Sequence, residues 1–157
     1  MCLLNPGVPI PPWRRISSEH FATLVAPLIG LQLSDTWRGY GSAIFLELGQ
    51  LARDSKGRQR GQATVMVEWD WRIEGPRSIL LGSSNADRKI SAGVKALNGR
   101  RVLDISLFGR IPELSIALSG SRWLTSFMTA DGQPRWTVFL GDGTCLTVVR
   151  GVLIQKV

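Results

Sequence analysis

Glu47, Glu68 and Asp70 are the residues whose types and spacing come nearest to a reaction centre. In "VMVEWDWRIE" (65–74) every second residue is apolar: Val65, Val67, Trp69, Trp71 and Ile73. Residues two apart on a strand lie roughly 7 Å apart, close enough for two carboxyls to divide general-acid and general-base roles. A hairpin of 42–49 with 63–74, apolar faces aligned, would join Ile44, Leu46 and Leu48 to Val65, Val67 and Trp69. Glu47, Glu68 and Asp70 would then share the opposite face. Arg72 follows on that face to neutralise them and no histidine stands near, so the stretch reads as the wet side of a half-buried strand.

Other catalytic signals fail similarly. His20 is the only histidine, and no Ser or Cys has a nucleophile setting such as G-x-S-x-G. "GDG" (141–143) between two apolar runs reads as a hairpin turn, and "GYGS" (39–42) lacks the helix that a dinucleotide fingerprint needs. Cys2 and Cys145 are too few for a disulfide framework or a zinc site, and Cys145 in "TCLTVV" reads as a plain strand residue. No catalytic, cofactor-binding or metal-ligating residue is assigned, no cofactor is expected, and the balance is against an enzyme.

The charges are less even. The net charge is +7, and two segments carry the excess. Residues 51–61 hold Arg53, Lys56, Arg58 and Arg60 against Asp54; residues 85–101 hold Arg88, Lys89, Lys95, Arg100 and Arg101 against Asp87. Phosphates would need such cations, and Trp37 or Tyr40 could stack a base, so Arg53, Lys56, Arg58, Arg60, Arg88, Lys95, Arg100 and Arg101 form a candidate nucleic-acid surface. The plainer reading is that hairpin tips and outer helix faces are kept solvated. A second candidate surface is the Pro-rich arm 1–16, where Val8, Ile10 and Trp13 alternate with prolines in an extended, polyproline-like segment. Apolar residues in such an arm are expected to pack on the protein's own body or on a second subunit, with Trp13 largely buried.

The elements that must position these residues are legible from periodicity. "SSEHFATLVAPLIG" predicts a helix capped by Ser17, with Phe21, Leu24, Val25 and Leu28 on one face and Gly30 as stop. "NADRKISAGVKALN" (85–98) predicts a second, with Ile90, Val94 and Leu97 as its stripe and Gly99 as stop. The rest is strand-like: 42–49, 63–74, 78–82, 101–108, 113–119, 122–128, 135–140 and 144–149, joined by short turns that favour antiparallel hairpins. Shifting the chain by 69 residues lays Phe21, Val25, Leu28, Gly30, Leu33 and Asp35 on Ile90, Val94, Leu97, Gly99, Val102 and Asp104. Later, "FLELG" (45–49) meets "IALSG" (116–120), and "WRIEG" (71–75) meets "WTVFLG" (136–141). This predicts a duplicated helix-plus-meander unit, with halves 17–84 and 85–157.

"VEWDWRIEG", preceded by a helix ending in "PLIG", resembles a group of small uncharacterised bacterial proteins with a Trp-Arg-Ile/Leu strand. The resemblance covers roughly residues 24–82 and brings across no functional residue.

A chain of 157 residues with 44% hydrophobic content fits one domain, 17–157, behind the arm. No apolar run approaches the ~18 residues of a membrane span, and the prolines and missing basic start of 1–15 do not make a secretory signal, so a cytoplasmic location is expected. The expected fold is α+β: mainly antiparallel meanders and two helices, packed face to face or as one strongly curved sheet. The expected function is a non-enzymatic interaction module, immunity-like or accessory, binding a protein partner or itself through the arm. Nucleic-acid binding through 53–60 and 88–101 is the alternative.

Overall fold

The computed structural model describes residues 13–68, 70–132 and 136–157. Val8, Ile10 and the rest of 1–12 lie outside the described residues, so the expectation for the arm bears on structure only at Trp13.

Both helices form where their signals stand. The hydroxyl of Ser17 accepts a hydrogen bond from the His20 backbone N–H at 3.0 Å and opens α1 (Ser18–Val25). Pro27 then narrows the chain into one 3-10 turn, Ala26–Leu28. Gly30 ends the unit at φ +91°, left-handed backbone that suits glycine. The second helix, α2 (Asp87–Lys95), is followed by Gly99 at φ +90°. Phe21 and Val25, and likewise Ile90 and Val94, are buried.

Among the described residues every strand pairing is antiparallel, both across the short turns and between strands far apart in the sequence. In the first half run β1 (Trp13–Arg15), β2 (Leu33–Arg38), β3 (Ile44–Leu48), β4 (Ala52–Arg53), β5 (Gln59–Arg60), β6 (Ala63–Val67), β7 (Trp71–Glu74) and β8 (Ile79–Gly82). In the second run β9 (Val102–Phe108), β10 (Glu113–Leu118), β11 (Arg122–Ser126), β12 (Trp136–Phe139), β13 (Cys145–Val149) and β14 (Val152–Lys156). They assemble as a seven-stranded sheet, β1-β14-β13-β12-β6-β3-β2, a five-stranded sheet, β8-β7-β11-β10-β9, and the separate hairpin β4-β5. The α+β class with dominant antiparallel strands is therefore observed.

The expected strand 63–74 is not one strand, and this separates the carboxylates it was expected to align on one solvated face. β6 pairs with β3 and β12 in the first sheet, whereas β7 pairs with β11 and β8 in the second. The alternation of apolar residues runs straight through the break, because each sheet buries its own share: Val65 and Val67 on one side, Trp71 and Ile73 on the other. The crossover is tied down at Asp70, whose carbonyl accepts from Phe127 N at 3.0 Å and whose carboxylate accepts from Thr129 Oγ1 at 2.8 Å. The register expected for the hairpin holds in its β6 part, with Ile44 opposite Val67 and Leu46 opposite Val65.

The crossover makes the two halves complete each other. β12 and β13 of the second half extend β6-β3-β2, and β7 and β8 of the first extend β11-β10-β9. Trp71 and Trp136 open the donated strands; both are fully buried. Their indole N–H groups donate to backbone carbonyls in the turns after β2 and β9: Trp71 to Ser42 at 2.7 Å, Trp136 to Pro112 at 3.1 Å. One core gathers residues from both sheets and both helices. The sheets meet edge to edge at one bridge, Gln32 with Arg101, next to Gly30 and Gly99. One further departure is chemical: Cys145, expected as a plain strand residue, is disulfide-bonded.

Candidate interaction surface

The carboxylates, read from the sequence as the wet side of one strand, do not share such a face. Glu47 is fully buried and Asp70 faces Thr129 and Ser83, while Glu68 follows the end of β6. Among the described residues no three His, Cys, Asp or Glu side chains gather as metal ligands. "GDG" is a turn: Asp142 Oδ1 accepts from Thr144 N at 2.9 Å, and this bond is the main reason its carboxyl lies below the usual 3.8.

Glu47 is a hub. Its Oε1 accepts from Trp37 Nε1 at 3.0 Å and from Arg60 Nη1 at 3.2 Å; its Oε2 accepts from Gly61 N at 3.0 Å and from Thr64 Oγ1 at 2.5 Å. Four donors satisfy a carboxylate that would be costly to bury bare. Arg60 also lies over the Trp37 ring, 5.3 Å from its centroid, and Trp37 stacks on Phe45 at 3.8 Å. The hub fixes the foot of β4–β5.

Asp54 fixes the tip of that hairpin. Its Oδ1 accepts from Arg58 N at 2.9 Å and Lys56 N at 2.8 Å, and its Oδ2 from Arg60 Nε at 3.4 Å. The Arg58 bond, followed by those from Lys56 and Arg60, holds its carboxyl below the usual 3.8. Arg53 Nη1 donates to the carbonyl of Gly57 at 2.9 Å. The result is a shaped hairpin with exposed Arg53, Lys56 and Arg58 and no buried residue of its own.

The two expected basic segments fare differently. In 51–61 only Arg60 is drawn inward. In 88–101, Arg88 stays exposed on α2, but Lys95 Nζ donates to Thr36 O at 3.3 Å and lies 3.8 Å from Asp35. Arg100 Nη1 donates to Ser119 O at 2.8 Å and Arg101 Nη1 to Gly30 O at 3.0 Å. Three of those four cations bind backbone carbonyls where helix and strand ends meet. Charge counting in the sequence does not separate such cations from free ones, since their acceptors are far away in the chain.

Of the arm's candidates, Trp13 is half-buried and sits in β1, opposite Lys156 of the same chain's β14. Of the two base-stacking candidates, Trp37 is covered by Phe45 and Arg60, whereas Tyr40 is entirely solvent-exposed on a fixed turn in which Gly39 N donates to Ala43 O at 2.7 Å and Arg38 Nη1 to Gly41 O at 2.7 Å. No helix among the described residues is long and apolar enough to cross a membrane. No protein-family model, curated protein or solved structure matches the chain.

Proposed function

We propose that the protein is a non-enzymatic interaction module, of accessory or immunity-like type, that presents the β4–β5 hairpin to an acidic surface of a partner protein. One observation carries the reading. A two-residue-per-strand hairpin is marginal by itself, yet this one is held at foot and tip by Glu47 and Asp54 while its cations point to solvent. Preorganised cations lower the ordering cost of binding and steer an acidic partner. The hairpin offers three exposed cations, Lys56, Arg58 and Arg53, the last also tied to the Gly57 carbonyl. The nucleic-acid alternative is weakened because Lys95, beside Asp35, and Arg101 are tied to backbone carbonyls of distant segments. Self-association through the arm stays a secondary proposal.

The test compares a labelled Asp/Glu-rich peptide with a DNA duplex of matched charge, by anisotropy at ~50 mM salt, where phosphate contacts are strong. Wild type is expected to bind the peptide, and the variant R53A/K56A/R58A to lose at least tenfold. Tighter DNA binding that also falls in an R88A variant would transfer the function to nucleic acid.

We also propose that the halves descend from a duplication. The paired positions Phe21/Ile90, Val25/Val94 and Trp71/Trp136 share burial, and Gly30/Gly99 share backbone conformation. A cytoplasmic location is a weaker proposal, since the disulfide at Cys145 is chemistry of oxidising compartments.

A further inference from the structure

On the side of α2 that faces β8, a groove of ≈ 400 Å³ runs between helix and sheet edge. Its floor is aliphatic, with Leu80 and Leu81; its helix wall is made of small residues around Gly93. A Cβ at Gly93 would come within 2.6 Å of Leu81 Cδ2, so the glycine sets how closely helix and strand approach. Three cations line the groove, Lys89, Arg100 and Arg122, and no carboxylate does.

Those cations are gathered without a counter-charge. Arg100 Nη1 donates to Ser119 O at 2.8 Å; Arg122 Nη1 donates to Gly120 O at 3.2 Å and to Ser121 O at 3.1 Å. Both guanidiniums are thus pinned by neutral carbonyls at one turn, 119–121. Among the described residues, none of the three makes an ion pair. Arg100 Nε is buried with no acceptor at all. A buried donor on a permanently charged group is a feature that native proteins rarely leave uncompensated.

We propose that this groove binds an amphipathic anion, a medium-chain alkyl carboxylate. Its chain would lie along Leu80 and Leu81 past Gly93, and its carboxylate would meet Arg100, Arg122 and Lys89. The volume falls within the range of small-molecule sites, and planar guanidiniums suit a carboxylate in two-point contact. An alkyl chain is narrow enough for a trough walled by Gly and Ala. This site is separate from the β4–β5 hairpin.

The test is titration of ¹⁵N-labelled protein with decanoate below its micellar concentration, against acetate, decylamine and a peptide ending in a leucine carboxylate. Decanoate is expected to give saturable shifts at Leu81, Gly93 and the 119–121 turn, with decylamine and acetate giving none. The exposed-rim variant K89Q/R122Q should weaken decanoate at least tenfold while keeping the wild-type spectrum elsewhere. The hairpin variant R53A/K56A/R58A should leave it unchanged, so failure here is distinct from failure of the acidic-partner reading. Equal binding of decylamine, no shift localised to the groove, binding of the peptide but not decanoate, or indifference to K89Q/R122Q would each overturn the proposal.

Discussion

Glu47 shows how an acidic residue on the outer face of a sheet comes to be fully buried: Arg60 and Gly61 at the foot of a hairpin join Trp37 and Thr64 of the neighbouring strands as its donors. Replacing it by Gln keeps the volume but removes the charge that Arg60, Trp37, Gly61 and Thr64 converge on. Breaking a buried pair costs several kcal/mol, and the partial exposure of Arg60 moves this one toward the low end. E47Q is expected to lose about 3 kcal/mol in urea unfolding. Its hairpin amides should also broaden or shift. Asp54 works on a different axis. Its folded-state pKa is depressed, so its contribution is complete above the unfolded value and is lost as pH falls through the folded one. The amide signals of Lys56 and Arg58 are therefore expected to hold steady around neutral pH and to move in an acid titration whose midpoint lies below 3.8. The D54N variant should show no such step.

The elements divide by how their signal is carried. Helix caps and stops are local, so Ser17, Gly30 and Gly99 could be read directly. Strands whose burial alternates, such as β7 and β10, announce themselves by alternation. β14 does not, because Leu153, Ile154 and Gln155 are all buried and the period disappears. The β4–β5 hairpin does not either, because bonds to Asp54 and Glu47 shape it rather than apolar packing. The break between Val67 and Trp71 was hidden for the opposite reason: the alternation of residue types persists although the chain changes sheets, and only long-range pairing reveals it. The candidate site inherits these limits. The cations of 51–61 were visible as a cluster, but the spending of Arg60 on Glu47 was not. Gly61 offers a test at this scale. A Cβ there would meet the backbone O and N of Leu48 at 2.4 and 2.6 Å, atoms that cannot swing aside. G61A is expected to destabilise by about 2 kcal/mol. G57A, at φ +75° but in open space, should cost about 1 kcal/mol and disturb only the hairpin tip. Thermal melts of the pair, with hairpin amide spectra, distinguish steric from conformational cost.

At the scale of the molecule, two buried indoles sit at matching places in the two sheets. W71F and W136F each remove a ring edge and the indole donor to a half-buried residue's carbonyl, of Ser42 and of Pro112 respectively, so each is expected to cost about 2 kcal/mol. Unfolding followed by fluorescence and by circular dichroism should stay coincident in both variants, since one core spans both sheets. The donated strands reach further than stability. If the backbone is severed between Ser84 and Asn85, the piece 1–84 keeps β6-β3-β2 without the second half's β12 and β13, and the piece 85–157 keeps β11-β10-β9 without β7 and β8. Neither piece can close its own sheet, yet each carries the strands the other needs. The two are expected to be unstructured apart and to recover strand ellipticity and native tryptophan emission when mixed in equal amounts. A piece that folded by itself would contradict the pairing order. The protein is in this sense a ready-made split reporter, in which light or colour attached to either piece would record only their meeting.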